Sequence, residues 1–176
     1  MDAAEVRRRR IIDMLGEARE PITGSELANS LLVSRQIIVQ DIALLRAGGK
    51  KILATPQGYM LLATLTGTVL TYTIAACHGS DDLRKELEII VDAGGKILDV
   101  IVEHPLYGEL KCLLMISSRG DIEKFIHNLS MSKAQPLSAL TDGVHLHTIE
   151  VADKEVFLEI ERKLAKAGIL LQKGEK

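Results

Sequence analysis

The histidines of this chain are the residues whose spacing most clearly indicates chemistry. His145 and His147 are separated by one residue within the predicted strand Val144–Val151. Because side chains alternate between the two faces of a strand, both imidazoles project from the same face. His78 ends another predicted strand, so three imidazoles can meet at one point. Imidazoles combined with a carboxylate suit Zn²⁺, Ni²⁺ or a similar divalent transition metal rather than Mg²⁺ or Ca²⁺.

A carboxylate for this site is available on the helix that is predicted to follow His78. Glu86 falls two turns into that helix, and its side chain can return toward the end of the strand. Glu88 and Asp82 belong to the same segment, and the helical period alone does not choose among the three. An HxH pair also occurs on exposed strands that bind no metal. Here the spacing predicts a metal site, and it does not identify which of the three carboxylates would belong to that site.

These residues belong to a predicted second domain, residues 65–176, in which strands and helices alternate. Strands are predicted at 69–77, 96–102, 110–117 and 144–151, and helices at 80–93, 121–129 and 153–167. The order β-α-β-β-α-β, with one added helix, is that of a ferredoxin-like split βαβ fold. A loop containing residues 104–109 joins the two middle strands.

The first domain, residues 1–63, has the pattern of a winged helix-turn-helix, which makes the chain an α+β protein. Helices are predicted at 3–18, after a capping box at 23–26, and at 34–47, followed by a hairpin with a Pro/Gly turn at 55–58. The N-terminal half of such a third helix enters the major groove, where Arg reads guanine, Gln reads adenine and apolar groups meet the thymine methyl. The predicted DNA-contacting residues are Ser34, Arg35, Gln36, Val39 and Gln40.

Composition and charge agree with a folded regulator. The chain is 47 % apolar, and none of its apolar runs approaches the roughly 20 residues of a membrane span. The net charge is −2, but basic residues are concentrated between Glu5 and Lys51, which favours a DNA-facing module attached to a neutral or acidic partner. The charged N-terminus and the unpaired spacing of Cys77 and Cys112 predict a cytoplasmic protein with reduced thiols and no membrane association.

Two parts of the sequence resemble known regulators. The run 25–46 resembles the helix-turn-helix of biotin-repressor-like and deoR-like bacterial regulators. His78, the run His104–Glu109 and the run Gly143–Thr148 are similar to the signatures of the three-histidine domain in bacterial nicotinate-responsive repressors of the NiaR type. That resemblance implies a homodimeric repressor of genes for synthesis or uptake of NAD precursors. It also implies a palindromic operator and nicotinate (nicotinic acid) as co-repressor.

The same resemblance implies one divalent transition metal per subunit, nickel or zinc. The ligands that carry over from the family are His78, Glu86, His145 and His147. Nicotinate offers a carboxylate and a pyridine nitrogen, either of which can fill an open metal position while a cation or a phenol holds its other end. The candidate effector residues are His104, Tyr107 and Arg119, because the loop 104–109 and a strand end at 117–119 can lie near the cluster.

Other functions use the same metal site. In a metal sensor the ion itself is the signal, and DNA binding follows metal occupancy without nicotinate. An enzyme would keep a position for a reactive water, whereas four protein ligands nearly saturate the ion and no nucleophile-base pair stands out beside them, so we predict that the chain is not an enzyme. In a purely structural role, loss of the metal would unfold the domain.

Overall fold

The chain forms two compact units, Met1–Gly67 and Thr68–Lys176. A computed structural model describes residues 3–62 and 70–171. The predicted boundary between residues 63 and 65, and the predicted strand start at Val69, lie outside the described residues. Within those residues, no helix is long and apolar enough to cross a membrane.

The first unit contains the predicted helices and hairpin. Its elements are α1 (Ala3–Glu17), α2 (Gly24–Ser30), α3 (Arg35–Ala47), β1 (Ile52–Thr55) and β2 (Gly58–Leu61). The capping box before α2 is confirmed: the hydroxyl of Thr23 accepts a hydrogen bond from the Glu26 amide at 3.1 Å, and the Glu26 carboxylate accepts one from the Thr23 amide at 2.8 Å. Ile11 and Leu15 of α1 pack against Ile38 of α3 in the core, so the helix-turn-helix arrangement is confirmed.

An ion pair between a buried carboxylate of α3 and two partly exposed arginines connects α3 to α1. Asp41 of α3 is 3 % exposed, and its Oδ2 lies 2.5 Å from Nε of Arg7. Its Oδ1 lies 3.4 Å from a guanidinium nitrogen of Arg8. Because a buried carboxylate without a partner is costly, this pair fixes the position of α3 on the core.

We expect Arg7→Met to destabilise the first unit by about 2–3 kcal/mol. The loss is smaller than for a fully buried pair, because the guanidinium groups are partly exposed and Arg8 still faces the carboxylate. Arg10→Met, an exposed position of α1, is the matched control. Urea unfolding of the full chain followed by circular dichroism measures both, and equal midpoints for the two variants would contradict the anchoring role of Asp41.

The second unit is a four-stranded antiparallel sheet with helices. Its elements are β3 (Leu70–Cys77), α4 (Leu83–Asp92), β4 (Lys96–His104), β5 (Gly108–Ile116), α5 (Arg119–Ser132), β6 (Val144–Val151) and α6 (Lys154–Lys166). The strand order is β3-β6-β4-β5. The predicted order of elements is therefore confirmed, and β6 splits the β3-α4-β4 unit. In a ferredoxin-like sheet the third strand of the domain takes that middle place, so this sheet keeps the split βαβ arrangement with a different strand order.

Helices cover one face of this sheet. Ile74 and Ile149 of the sheet share a core with Leu87 of α4, Ile122 of α5 and Ile160 of α6. Along β6 the side chains alternate: His145 and His147 are 3 % and 2 % exposed, whereas Val144 and Leu146 are 43 % and 36 % exposed. The prediction that the two histidines share a face is confirmed, and that face is the one beneath the helices.

Three local features differ from the sequence prediction. Residues Ser80–Asp82 form a 3-10 turn without a side-chain cap, so α4 begins at Leu83 and Glu86 lies in its first turn. The predicted loop 104–109 is a shorter turn, because His104 already pairs with Gly108 across the hairpin. A second 3-10 turn, Leu137–Thr141, precedes β6; its five residues carry too little periodicity to be found by pattern.

Candidate functional site

The three histidines predicted to bind metal converge on Glu86 inside the second unit. Oε2 of Glu86 lies 2.7 Å from Nε2 of His78, 3.2 Å from Nε2 of His145 and 3.5 Å from Nε2 of His147. The side chains are nearly inaccessible, with relative exposures of 0 % for Glu86, 3 % for His78 and 2 % for His145 and His147. The structure thus brings the four predicted ligands together in a buried cluster.

Sheet pairing explains how distant segments meet here. In the antiparallel register of β3 and β6, Ala76 lies opposite His145 and Ile74 opposite His147. His78 comes two residues after Ala76, and its amide lies 3.3 Å from the carbonyl oxygen of Gly143. Since α4 packs over this face of the sheet, the first turn of the helix carries Glu86 onto the histidines.

The second ring nitrogen of each histidine contacts a main-chain carbonyl. Nδ1 of His78, His145 and His147 lies 2.8, 2.8 and 2.6 Å from the carbonyl oxygens of Gly79, Gly143 and Asp99, respectively. A carbonyl only accepts hydrogen bonds, so each Nδ1 donates its proton, and a ring without a second proton presents an Nε2 lone pair to the Glu86 carboxylate. Four acceptor groups therefore face one another, an arrangement that needs protons or a metal cation between them.

The donor set of this cluster fits a divalent transition metal. Nε2 of His147 is buried and has no hydrogen-bond partner within the described part of the chain, which is uncommon for a buried polar atom. Ligand atoms of His78, Glu86 and His145 all lie within 4.8 Å of one another. In metal-ligating histidines the N–H of the other ring nitrogen typically donates a hydrogen bond to a carbonyl or a carboxylate, and these three rings donate to carbonyls.

The charges of the cluster also favour a cation. Burial raises the pKa of the Glu86 carboxyl, but contacts with His145, His147 and His78 outweigh burial and hold that pKa well below its usual 4.5. The hydrogen bond to Glu86 raises the pKa of His78 above 6.5. Burial lowers the pKa of His147, yet the attraction of Glu86 leaves it raised. The carboxylate stays ionised and attracts protons or a metal ion to the rings.

The structure separates Glu86 from the other carboxylates of its helix. Oε1 of Glu88 lies 3.1 Å from a guanidinium nitrogen of Arg119, and Asp92 accepts a hydrogen bond from Nε of Arg119 at 2.9 Å. The prediction that Arg119 ends a strand is wrong, because Ser118 and Asp121 form a capping box that starts α5 at Arg119. Its guanidinium therefore bridges α4 and α5 on the surface of the unit.

His104 and Tyr107 lie at the β4-β5 turn. Nδ1 of His104 accepts hydrogen bonds from the amides of Leu106 and Tyr107, at 3.2 and 3.3 Å. Its proton is consequently on Nε2, the opposite tautomer from that of the cluster histidines. The Tyr107 ring is 5.0 Å from the His104 ring and 70 % exposed. The structure does not place either side chain among the atoms that surround Glu86.

The predicted DNA-contacting residues lie on an exposed face of α3. The hydroxyl of Ser34 caps the helix by accepting a hydrogen bond from the Ile37 amide at 3.4 Å. Arg35 crosses the start of α2: a Cβ added to Gly24 would lie 3.5 Å from Nε of Arg35 and 3.5 Å from the Tyr59 ring in β2. The remaining exposed positions are Gln36, Val39 and Gln40.

Sequence reasoning missed Gly143 and Asp99, which orient two of the histidines. Gly143 has a φ of +91°, and a Cβ at this position would lie 2.4 Å from the carbonyl oxygen of His78. The only signal for it was its place two residues before His145, because a glycine before an HxH pair leaves the backbone free to turn. Nothing in the sequence signals the carbonyl contact of Asp99, since every residue has a carbonyl.

Comparison with known proteins finds a matching domain family for each of the two units. Residues 7–60 match an HTH domain and residues 71–173 match the 3H domain. The chain is 44 % identical over 164 residues to the probable transcription repressor NiaR of Thermotoga maritima, covering 93 % of each protein. It is 40 % identical over 168 residues to the transcription repressor NadR of Bacillus subtilis, covering 94 % of this chain and 93 % of that protein.

The relatives agree with the prediction that the chain is not an enzyme, since both are named as transcription repressors and share the DNA-binding domain. The match extends over nearly the whole chain, including the segment that holds the four predicted metal ligands. The chain therefore belongs to the family of NiaR/NadR-type bacterial transcription repressors, in which an HTH domain is followed by a 3H domain.

Proposed function

We propose that this repressor acts in the cytoplasm as a homodimer on palindromic operators of genes for NAD-precursor synthesis or uptake, with nicotinate as co-repressor. We also propose that each subunit binds one divalent transition metal, Ni²⁺ or Zn²⁺, through His78, Glu86, His145 and His147. The observation that carries the metal is the convergence of three Nε2 atoms on the buried Glu86 carboxylate. Nicotinate is supported by the resemblance of the histidine segments to nicotinate-responsive repressors.

In this proposal the four side chains have distinct tasks. The imidazoles of β6 and of the β3 end supply neutral nitrogen ligands whose tautomers are fixed by main-chain carbonyls. Glu86 supplies the negative charge that offsets the dication and links the first turn of α4 to the sheet. A bound metal would supply a Lewis acid that attracts a carboxylate or a pyridine nitrogen. His104 and Tyr107 remain proposed effector contacts, whereas Arg119 would first have to leave its carboxylate partners.

DNA recognition in this proposal rests on the exposed start of α3. Arg35 and Gln36 would read base edges, Val39 would meet a thymine methyl, and Ser34 and Gln40 would contribute polar contacts. A homodimer presents two such helices, which match half-sites about 34 Å apart along a palindrome. Nicotinate would favour the arrangement that fits this spacing, and a coupling of about 1–3 kcal/mol is typical of such an effector.

Operator binding in the presence of nicotinate tests this function directly. We expect nicotinate to tighten the binding of the metal-loaded chain to a palindromic operator from upstream of NAD-synthesis genes by about 5–150-fold, the range that such a coupling gives. His145→Ala should remove this effect, because it deletes a buried ligand. Arg35→Ala should weaken binding with or without nicotinate. Fluorescence anisotropy at one stated salt concentration measures all three, since phosphate contacts make affinity dependent on salt.

Two controls distinguish the alternatives. Nicotinamide, which lacks the carboxylate, tests the effector chemistry, and His127→Ala removes a histidine of α5 outside the cluster. If operator affinity follows metal occupancy and ignores nicotinate, the chain is a metal sensor and the effector proposal fails. If chelation only unfolds the second unit and operator affinity never responds to nicotinate, the metal has a structural role alone.

A further inference from the structure

We propose that Asp99 and Lys111 are positioning residues of the metal site, acting from strands β4 and β5 on the orientation of His147. This inference rests on the metal binding proposed above. Neither residue is a ligand. Asp99 lies in β4 and reaches His147 through its main-chain carbonyl oxygen, 2.6 Å from Nδ1 of that ring.

An irregularity in strand pairing turns that carbonyl toward His147. Between the pairs Ile97↔Ile149 and Ile101↔Leu146, β4 has one residue more than β6. Such a bulge leaves a residue outside the ladder and re-aims its backbone groups. Because Asp99 lies within the bulge, its carbonyl can accept a hydrogen bond from the His147 ring instead of from a β6 amide.

The Asp99 carboxylate stabilises the bulge that contains it. Its Oδ1 accepts a hydrogen bond from the Thr148 amide at 3.0 Å, which gives this β6 amide an acceptor where the ladder is interrupted. The Asp99 side chain is 3 % exposed. A side chain that accepts the Thr148 amide holds β6 and the bulge together directly beside His147.

Lys111 supplies the counter-charge from the neighbouring strand. Its Nζ lies 2.7 Å from Oδ2 of Asp99, and its side chain is 46 % exposed. In the β4-β5 register Lys111 pairs with Ile101, whereas Asp99 pairs with Leu113, so the ion pair is a diagonal contact between strands. Removing Lys111 leaves a buried carboxylate with the Thr148 amide and without a cation, which favours rearrangement of the bulge.

The test is metal affinity combined with a report on the His147 ring. Zn²⁺ affinity by chelator competition and the visible absorption of the Co²⁺-loaded chain would be measured for Asp99→Ala, Asp99→Asn and Lys111→Met. The matched controls are Asp153→Ala, which also removes an aspartate that accepts an amide, and Lys163→Met, which also breaks a surface ion pair. Long-range ¹H-¹⁵N spectra of the metal-free chain identify the His147 nitrogen that carries the proton.

We expect Asp99→Ala to weaken Zn²⁺ binding by about 10–100-fold, the range found when the group that orients a metal ligand is disturbed, and to shift the Co²⁺ bands. Lys111→Met should lower the Zn²⁺ affinity by a smaller factor, whereas Lys111→Arg should bind Zn²⁺ as tightly as the wild-type chain. In the metal-free variant Asp99→Ala, His147 should populate both tautomers. Asp99→Asn, which keeps an acceptor for the Thr148 amide, should retain the Nδ1-H tautomer of His147. This variant replaces Asp99→Ala in the test if Asp99→Ala does not fold.

Wild-type Zn²⁺ affinity, Co²⁺ bands and a single His147 tautomer in folded Asp99→Ala and Lys111→Met would overturn the positioning role. If Asp99→Ala does not fold, the same three results in Lys111→Met, or a mixed tautomer in Asp99→Asn, would overturn it. Failure of the wild-type chain to bind Zn²⁺ or Co²⁺ would instead refute the proposed metal site. The metal-free spectra would then still decide whether Asp99 orients His147.

Discussion

Alanine in place of Gly143 is expected to abolish high-affinity metal binding and to destabilise the second unit by about 3–5 kcal/mol, the upper range of single substitutions. The added Cβ would lie 2.4 Å from the carbonyl oxygen of His78, at a backbone φ of +91°. The carbonyl of Gly143 also orients the His145 ring and lies opposite the His78 amide. One methyl group therefore displaces two of the four proposed ligands, His78 and His145.

Gly168→Ala is the matched control for this prediction. Gly168 has a φ of +74°, but a Cβ there would meet nothing within 4 Å, so it carries the conformational strain without the clash. We expect this control to cost about 1–2 kcal/mol and to leave metal affinity unchanged. Thermal unfolding and chelator competition measure both variants, and equal effects would show that conformational strain, not the contact with His78, explains the loss.

Removal of the metal is expected to reverse the pH dependence of stability above pH 6.5. In the metal-free chain the pKa values of His78 and His147 are raised above 6.5. The stability that these two histidines contribute is fully present below pH 6.5 and is lost as pH rises through their folded-state pKa values. The pKa of Glu86 is lowered below 4.5, so its contribution is present above 4.5 and lost only as pH falls through the low folded-state value. The metal-free unit should be most stable between these limits.

The metal-loaded chain should show the opposite trend, because metal competes with protons for the same nitrogens and binds more tightly as pH rises. At a free metal concentration about 1,000 times Kd, bound metal adds roughly 4 kcal/mol. Melting temperatures between about pH 5.5 and 8, with Zn²⁺ or with a chelator, measure the reversal. Glu86→Gln should remove this reversal, because it deletes the negative charge of the carboxylate. Parallel curves for the two wild-type samples would contradict metal binding at these histidines.

The sequence predicted the fold where the signal is local. Caps at Thr23 and Ser34, together with the apolar spacing of the helices, identified the helix-turn-helix. Alternation along β6 identified which face carries His145 and His147. Strand order was less accessible, because pairing of β6 between β3 and β4 depends on contacts between residues far apart in the chain.

The cluster of His78, His145, His147 and Glu86 was predicted well in its histidines and less well in its surroundings. Residue type and spacing suffice for an HxH pair, and the family resemblance selected Glu86 where helical periodicity had left three carboxylates. The position of Arg119 was predicted wrongly, because the capping box at Ser118 starts a helix at Arg119, where the sequence had predicted a strand end at 117–119. The role of main-chain groups such as the Asp99 carbonyl could not be predicted from the sequence, because the orientation of that carbonyl depends on the bulge in β4.

The carbonyl contacts of the three histidines affect how this site can change in evolution. A carbonyl survives every substitution of its own residue, so side-chain mutations around the cluster leave the hydrogen-bond acceptors of all three rings in place unless they move the backbone, as we expect at Asp99 and Gly143. Mutational sensitivity is then confined to the four ligands and to the few residues that shape the backbone. Lineages that share the fold can therefore diverge widely around the proposed metal site and still inherit the same orientation of its histidines, provided that those few positions are kept.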